Sequence, residues 1–421
     1  MKASISKGNI NGTVKAPSSK SYTLRGLMCA ALARGESEIV YPLAADDTAA
    51  AAVVLAKTGI GITKHVGLWL VSGGNFHQPD TELFCGDSAA TLRFMTAICS
   101  VIPGKCRLTA GQYLSKRPVG DLVDALRQLG VACSAHEGLP PVAVTGNTLR
   151  GGAATLPGDV SSQFVSALLL AAPLAKEPVT ISLTTPLESR PYVKMTMECL
   201  NKFGINVNSS QDMRHFEVPL QEYKPARYVV EGDWSSASYF LALGAVSGKT
   251  TVSNLNPQSL QGDKIILDYL KLMGAAVKIS GHNITVKPGN LKAIVANLED
   301  CIDLLPTMAA LAAVAGGTSE LTGITRARLK ESNRVAAVRE GLERMGITVK
   351  EEENRLVIKG SIPKGAVIDS RSDHRIAMAF SVLGLIAGDT VIEGAECVGK
   401  TFPEFWDTLR SIGGEVKITQ S

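Results

Sequence analysis

The stretch Gly232-Asp233-Trp234-Ser235-Ser236-Ala237-Ser238-Tyr239-Phe240-Leu241-Ala242-Leu243-Gly244-Ala245-Val246-Ser247-Gly248-Lys249-Thr250-Thr251-Val252-Ser253 reads as a capped helix running into a strand. Asp and Ser favour helix N-caps because their side-chain oxygens accept from the unpaired first-turn N–H groups. The periodicity predicts a helix over 234–246, and the β-branched run predicts a strand over 250–253. A second helix follows over 263–273. Two more strands are predicted at 276–279 and 283–287. Two helices and several strands in so short a span make nearly a subdomain.

The same unit recurs along the whole chain. Its clearest marker is a glycine before a β-rich run: Thr58-Gly59-Ile60, Leu129-Gly130-Val131, Phe203-Gly204-Ile205, Met273-Gly274-Ala275, Met345-Gly346-Ile347 and Ile412-Gly413-Gly414. These glycines are 71, 74, 70, 72 and 67 residues apart. A second marker keeps the same beat, with cap-like residues before an Ala/Leu-rich helix at Ser18-Ser19, Asp87-Ser88, Asp159 to Ser162, Asp233 to Ser236, Asp303 and Asp373. Solenoid repeats are commonly shorter and expose one binding face. A six-fold βαβαββ protein, packed as three units twice over, is the architecture expected here.

Composition narrows the function. The chain has 421 residues, too many for one core, so two domains are the natural expectation. Its 43 basic and 39 acidic residues leave a net charge of only +4, too even for a nucleic-acid binder. The eight cysteines form no C-x-x-C pair and the six histidines show no metal spacing, so no metal site is expected. Residues 1–7 have no apolar core of a signal peptide, and the longest apolar stretch, near 164–175, is too short for a membrane span. A cytoplasmic protein without membrane or nucleic-acid partners is expected.

Each repeat opens a helix, and helix N-termini carry partial positive charge and free N–H donors. Lys20, Arg25, Arg93, Lys116, Arg117, Arg190, Lys330, Arg334, Arg375 and Lys400 lie near these starts or in the loops between them. A small, highly anionic ligand is the expected target, bearing phosphates or carboxylates.

The ordered strings Pro17-Ser18-Ser19-Lys20-Ser21 with Arg25, Lys116-Arg117-Pro118, Ser161-Ser162-Gln163, Gly232 to Tyr239, Lys330-Glu331-Ser332-Asn333-Arg334, Asp373-His374-Arg375 and Lys400-Thr401-Phe402-Pro403 resemble the EPSP synthases, an enolpyruvyl transferase family. The resemblance implies an α/β (α+β) fold of two domains. Each would hold three βαβαββ repeats around a pseudo-three-fold axis, an inverse α/β barrel-like arrangement. The domains would be 15–230, and 1–14 with 231–421, with the active site in the cleft between them. It also implies transfer of the enolpyruvyl group of phosphoenolpyruvate to the 5-hydroxyl of shikimate 3-phosphate, on the shikimate pathway to chorismate and aromatic amino acids. No cofactor is implied, and a monomer is expected.

Carried over residue by residue, the resemblance casts Lys20, Ser21, Arg25, Ser161, Ser162, Gln163, Ser189, Tyr192, Asp303, Arg326 and Lys330 as binders of shikimate 3-phosphate. Lys20, Ala89, Arg117, Gln163, Arg334, Arg375 and Lys400 would hold phosphoenolpyruvate. Asp303 is expected as base and Glu331 as proton donor, with Lys20 sharing the proton work. A paired acid and base suits a reaction in which a hydroxyl loses a proton while a methylene carbon gains one. His374 could bond structurally or relay a proton, and Arg93 could merely support its helix.

Three positions depart from the family's pattern: Ala89 where glycine is usual, Arg326 where many members have Asn, and Arg190 where many have Lys. The methyl of Ala89 would intrude on glyphosate, a longer mimic of phosphoenolpyruvate, more than on the substrate, so tolerance is expected. The sister enzyme acting on UDP-N-acetylglucosamine normally carries a reactive Cys on the loop that here reads Gly111 to Pro118 without one. RNA 3′-phosphate cyclases, related in fold, fit no better. A non-catalytic anion-binding repeat protein is the rival from another class.

Overall fold

The structure, a computed structural model, describes residues 1–420. Its helices are α1 (Lys20–Leu32), α2 (Asp46–Lys57), α3 (Ala89–Ile98), α4 (Gly120–Gln128), α5 (Ser162–Ala171), α6 (Arg190–Lys202), α7 (Trp234–Val246), α8 (Ile266–Met273), α9 (Leu305–Val314), α10 (Arg334–Arg344), α11 (His374–Ala387) and α12 (Phe405–Ser411). Odd-numbered helices follow the cap-like markers, and even-numbered ones precede the repeat glycines.

Those glycines have a common geometric reason. Gly59, Gly130, Gly204, Gly274, Gly346 and Gly413 all adopt positive φ, between +78° and +100°. Each lies at or just past the end of an even-numbered helix, where a left-handed residue closes the last turn at least cost if it has no Cβ. The period in the sequence is a period of helix ends.

The two sets of helices differ in burial. Residues 22–32 of α1 and 305–313 of α9 are buried all round, as are 374–385 of α11. Helices apolar on every side belong inside a core. In one unit α7, α9 and α11 pack on one another, and in the other α3 packs on α1 and α5. The even-numbered helices are amphipathic and bury one face.

Among the described residues, six four-stranded sheets cover these cores. Three come from contiguous chain: 83–84, 105–109, 139–145 and 133–136; 152–156, 179–183, 215–218 and 208–209; 295–297, 318–322, 355–359 and 348–351. In each, the first two strands are parallel, linked across an odd-numbered helix, and the others antiparallel. The other three sheets borrow a distant strand. Arg227–Val229 pairs with Gly35–Val40, Ile10–Lys15 with Gly248–Ser253, and Lys2–Ile5 sits between Thr390–Glu393 and Val416–Thr419. Residues 1–14 were expected with the C-terminal half; in all, three of the six repeats take a strand from elsewhere in the chain.

The chain divides into two compact units, one of Met1–Pro17 with Glu231–Ser421 and one of Ser18–Val230. The first boundary falls later than the expected 14/15. Strand pairing runs on to Lys15 opposite Ser253, and the Asp233 N–H donates to the Pro17 carbonyl, so these residues stay with the C-terminal half. No helix of the described residues is long and apolar enough to cross a membrane.

Candidate functional site

In the 231–421 unit the starts of α7, α9, α10 and α11 carry the charged groups. The Asp233 carboxylate caps α7, taking the Ser236 N–H at 2.7 Å. Gly232 makes that cap possible, because a Cβ there would lie 1.9 Å from the Asn254 carbonyl oxygen. Asn333 caps α10 through the Ala336 N–H, and Asp373 caps α11 through the Arg375 N–H. Before Asp373, Arg371 and Ser372 both adopt left-handed backbone, φ 54° and 55°. Two such non-glycine residues in succession are sterically costly and hold the start of α11 in a fixed direction.

Arg334 lies at the centre of this cluster, with no exposed surface. Its Nε donates to Asp373 Oδ2 at 2.8 Å, Nη1 to Asp303 Oδ1 at 2.6 Å and Nη2 to Glu331 Oε2 at 2.5 Å. Ser332 Oγ also donates to Asp373. The expected acid and base therefore share one guanidinium. Asp303 further meets Arg375 Nη2 at 3.2 Å and Lys330 Nζ at 3.4 Å. Burial works to raise the Asp303 pKa, but Arg375, Lys330 and Arg334 outweigh it and hold this carboxyl well below the usual range. Burial pushes the Lys330 ammonium down to about 8 against the pull of Asp303. For Arg334 burial opposes the charge, and Asp373, Glu331 and Asp303 more than restore it.

Asp303 was expected among the caps. The N-cap of α9 is instead Leu304, without a side-chain bond, and Asp303 sits in the preceding helical turn with its carboxylate given to the cations. Arg326 is buried and donates to the Glu299 carbonyl. His374 is fully buried, its Nδ1 3.8 Å from Asp373. Lys400 ends the helical turn Ala395–Lys400, which packs on α11.

In the 18–230 unit, Ser19 caps α1 and Ser161 caps α5. Lys20 pairs with Asp47 at 2.9 Å, both largely buried. Arg25 donates to Thr196 Oγ1, the Ser21 carbonyl and the Tyr192 carbonyl, and its guanidinium lies 5.4 Å from the Phe94 ring centroid. Two of its N–H groups thus tie α1 to α6, and the third closes back on α1 itself. Ser189 precedes α6 in left-handed backbone, φ 52°, and is buried; Tyr192 is half-buried above Arg25.

Arg93 is more than a prop for α3. Its Nη1 reaches Gln163 Oε1 at 2.8 Å and Ser161 Oγ at 3.2 Å, and its Nη2 reaches the Pro118 carbonyl at 2.9 Å. It thereby fixes two expected ligand residues against the segment carrying Arg117, which is itself buried, as is Ser162. Asp87, expected to help cap α3, instead accepts from the Tyr113 and Leu114 N–H groups and shapes the loop before Arg117. Ser88 takes the cap position without a side-chain cap bond, and Ala89 is the buried first residue of α3.

The family described as EPSP synthase (3-phosphoshikimate 1-carboxyvinyltransferase) matches residues 5–409. A curated 3-phosphoshikimate 1-carboxyvinyltransferase of Dehalococcoides mccartyi is 49% identical, covering 99% of each chain. One from Methanosphaera stadtmanae is 40% identical over 96% of this chain and 98% of its own. The chain belongs to the EPSP synthase family. The fold agrees: an EPSP synthase from Acinetobacter baumannii superposes with a TM-score of 0.84 at 27% identity, covering all of both chains.

Within this EPSP synthase framework the structure gathers Asp303, Glu331, Lys330, Arg334 and Arg375 into one network, and links Arg93, Ser161 and Gln163 in another. Sequence reading missed Asp47 as the partner of Lys20, Asp373 as the third carboxylate on Arg334, and Asp263 beside Asp303. The Asp46-Asp47 pair at a helix start was the available signal for the first. Asp263, behind Gln261-Gly262, offered none beyond a helix start.

Proposed function

We infer that the chain performs the reaction for which its family is named. The 5-hydroxyl of shikimate 3-phosphate adds to C2 of phosphoenolpyruvate while C3 takes a proton; loss of a C3 proton then expels phosphate and leaves the enol ether. This places it on the shikimate pathway, in chorismate and aromatic amino acid biosynthesis. The observation that carries the reading is the carboxylate pair Asp303 and Glu331 held on the guanidinium of Arg334, with Arg375 and Lys330 alongside.

Asp303 is the base in this scheme and Glu331 the donor to C3. A carboxylate held so far below its usual range is a weak base. Arg375 gives Asp303 one bond, and a guanidinium carries five N–H donors. As the anionic groups of phosphoenolpyruvate come up against the Arg375 guanidinium, their negative charge offsets its pull on Asp303, whose proton affinity rises. The substrate thus activates its own base. Arg117, Arg334, Arg375 and Lys400 bind phosphoenolpyruvate, while Lys20, Ser21, Arg25, Ser161, Ser162, Ser189, Tyr192, Arg326 and Lys330 bind shikimate 3-phosphate. Gln163 and Lys20 serve both, and Arg93 holds Ser161 and Gln163 in place. Ala89 confers tolerance of glyphosate.

Phosphate release measured with both substrates, and with each omitted, tests the activity. Release requiring both is expected; release from phosphoenolpyruvate alone would mean a phosphatase instead.

A further inference from the structure

Asp263 stands in the helical turn Gly262–Ile265 before α8 and is 2% exposed. Its Oδ2 accepts from the Ser235 hydroxyl on α7, while its Oδ1 has no hydrogen-bond partner. An ionised carboxylate with an unpartnered oxygen at that depth is costly, and packing alone would be served better by an amide or an apolar group. Its turn packs on the turn Ile302–Leu304 that carries Asp303, and both pack on α7.

The groups facing Asp263 come from every neighbouring element: Asp303 and Cys301 from the adjoining turn, Arg375 from α11, and Asp233 and Ser235 from the start of α7. Lys264 follows it in its own turn and donates to the Ser259 carbonyl. Burial first, then the negative charge of Asp303, push the Asp263 carboxyl up to about 7, while Arg375 and Ser235 pull it down.

We propose that Asp263 is a positioning residue for the transfer reaction, its negative charge strengthening Asp303 as a base. Asp263 can act this way only if Asp303 is the base, as inferred above. The cations on Asp303 lower its proton affinity, and a carboxylate on the neighbouring turn opposes them through like-charge repulsion. Below about pH 7 Asp263 is neutral and Asp303 feels the cations undiminished. Above it, Asp263 is charged and Asp303 takes a proton more readily. Turnover therefore rises through neutrality. Stability moves the other way: a carboxyl raised in the folded state contributes stability present below its ordinary pKa and lost as pH rises through about 7.

The test is the pH profile of kcat, with both substrates saturating, for the wild type, Asp263→Asn, Asp263→Glu and Asp303→Asn. Wild-type kcat is expected to rise about three- to tenfold from pH 6 to 8, the scale of a modest change in base strength. Asp263→Asn should lose the step centred near pH 7 and keep only the later rise that Lys330 brings near pH 8, with KM unchanged, and Asp263→Glu should restore the step. The thermal midpoint of the wild type should also fall relative to that of Asp263→Asn as pH increases. A loss of kcat equal at every pH, with the wild-type slope kept, overturns the proposal and leaves a packing role. Should Asp263→Asn fail to fold, Ser235→Ala carries the test. Losing that hydroxyl moves the rise to higher pH, and an unmoved rise overturns the proposal. Near-normal turnover in Asp303→Asn removes the base reading, and this proposal with it. Collapse there beside an unchanged slope in Asp263→Asn overturns this proposal alone.

Discussion

The two units are built on one template, yet their main arginine clusters are satisfied in opposite ways. In the 231–421 unit, Arg334 gives its donors to three carboxylates, and Arg375 and Lys330 lean on one of the same three. In the 18–230 unit, Arg25 and Arg93 donate to hydroxyls, a side-chain amide and backbone carbonyls, and lie against aromatic rings. A cation satisfied by neutral acceptors keeps its charge to offer a ligand. A cation satisfied by carboxylates loses most of its field but fixes the protonation of those carboxylates. The Arg25 and Arg93 set is arranged for holding anions alone, while the Arg334 set also fixes where protons sit.

The largest expected effect tests the proton side. Asp303→Asn keeps the shape but removes the base, so kcat should fall by about 10²–10⁴-fold while calorimetry finds shikimate 3-phosphate binding intact. Near-normal turnover would shift the base role elsewhere, with Lys20 the next candidate.

Stability separates the two modes next. Arg334→Met removes the cation that three buried carboxylates share, leaving Asp303 only Arg375 and Lys330, and should cost about 3–5 kcal/mol. Arg93→Met removes bonds to neutral acceptors and should cost about 1–3 kcal/mol. Urea unfolding of both variants measures the gap; equal losses would erase the contrast between the units.

A smaller effect is expected where a cation contacts the ligand directly. Arg117→Ala should forfeit a charge-assisted contact of about 1.5–3 kcal/mol and raise the KM for phosphoenolpyruvate about tenfold or more. An unchanged KM would take Arg117 out of the site.

The smallest effect concerns shape rather than charge. Ala89→Gly should tighten glyphosate inhibition by about one to two decades, since the misfit of one methyl costs on the order of 1–3 kcal/mol, while phosphoenolpyruvate affinity changes less. The buried place of Ala89 at the start of α3 also suits a plain helix former. Equal inhibition constants in the two enzymes would leave it that role alone.

The period was legible because every helix-ending glycine must adopt positive φ, a demand that acts on one residue and shows in the sequence. The helix over 234–246 and the strand over 283–287 were legible for the same local reason. The borrowed strands were not legible from local pattern; only the resemblance put residues 1–14 with the C-terminal half. Arg227–Val229 and Lys2–Ile5 are short, and nothing within so few residues names a partner far away in the chain. The resemblance named Asp303, Glu331 and Arg334, but not that one guanidinium joins them with Asp373. Asp263 was invisible as chemistry because an acid in a turn looks solvated until its burial is known.

The borrowed strands also set an order of assembly. Residues 18–230 hold every strand of their own three sheets, so that unit can close as soon as Arg227–Val229 has left the ribosome. Residues 2–15 are synthesised before the strands they pair with and cannot finish folding until far later. Ile10–Lys15 waits for Gly248–Ser253, and Lys2–Ile5 for Thr390–Glu393 and Val416–Thr419. Closing those long loops is entropically slow to begin but costs little more for each added residue. Strands translated early are thus placed late, and a nascent chain that stalls before Val416 leaves Lys2–Ile5 without its full sheet.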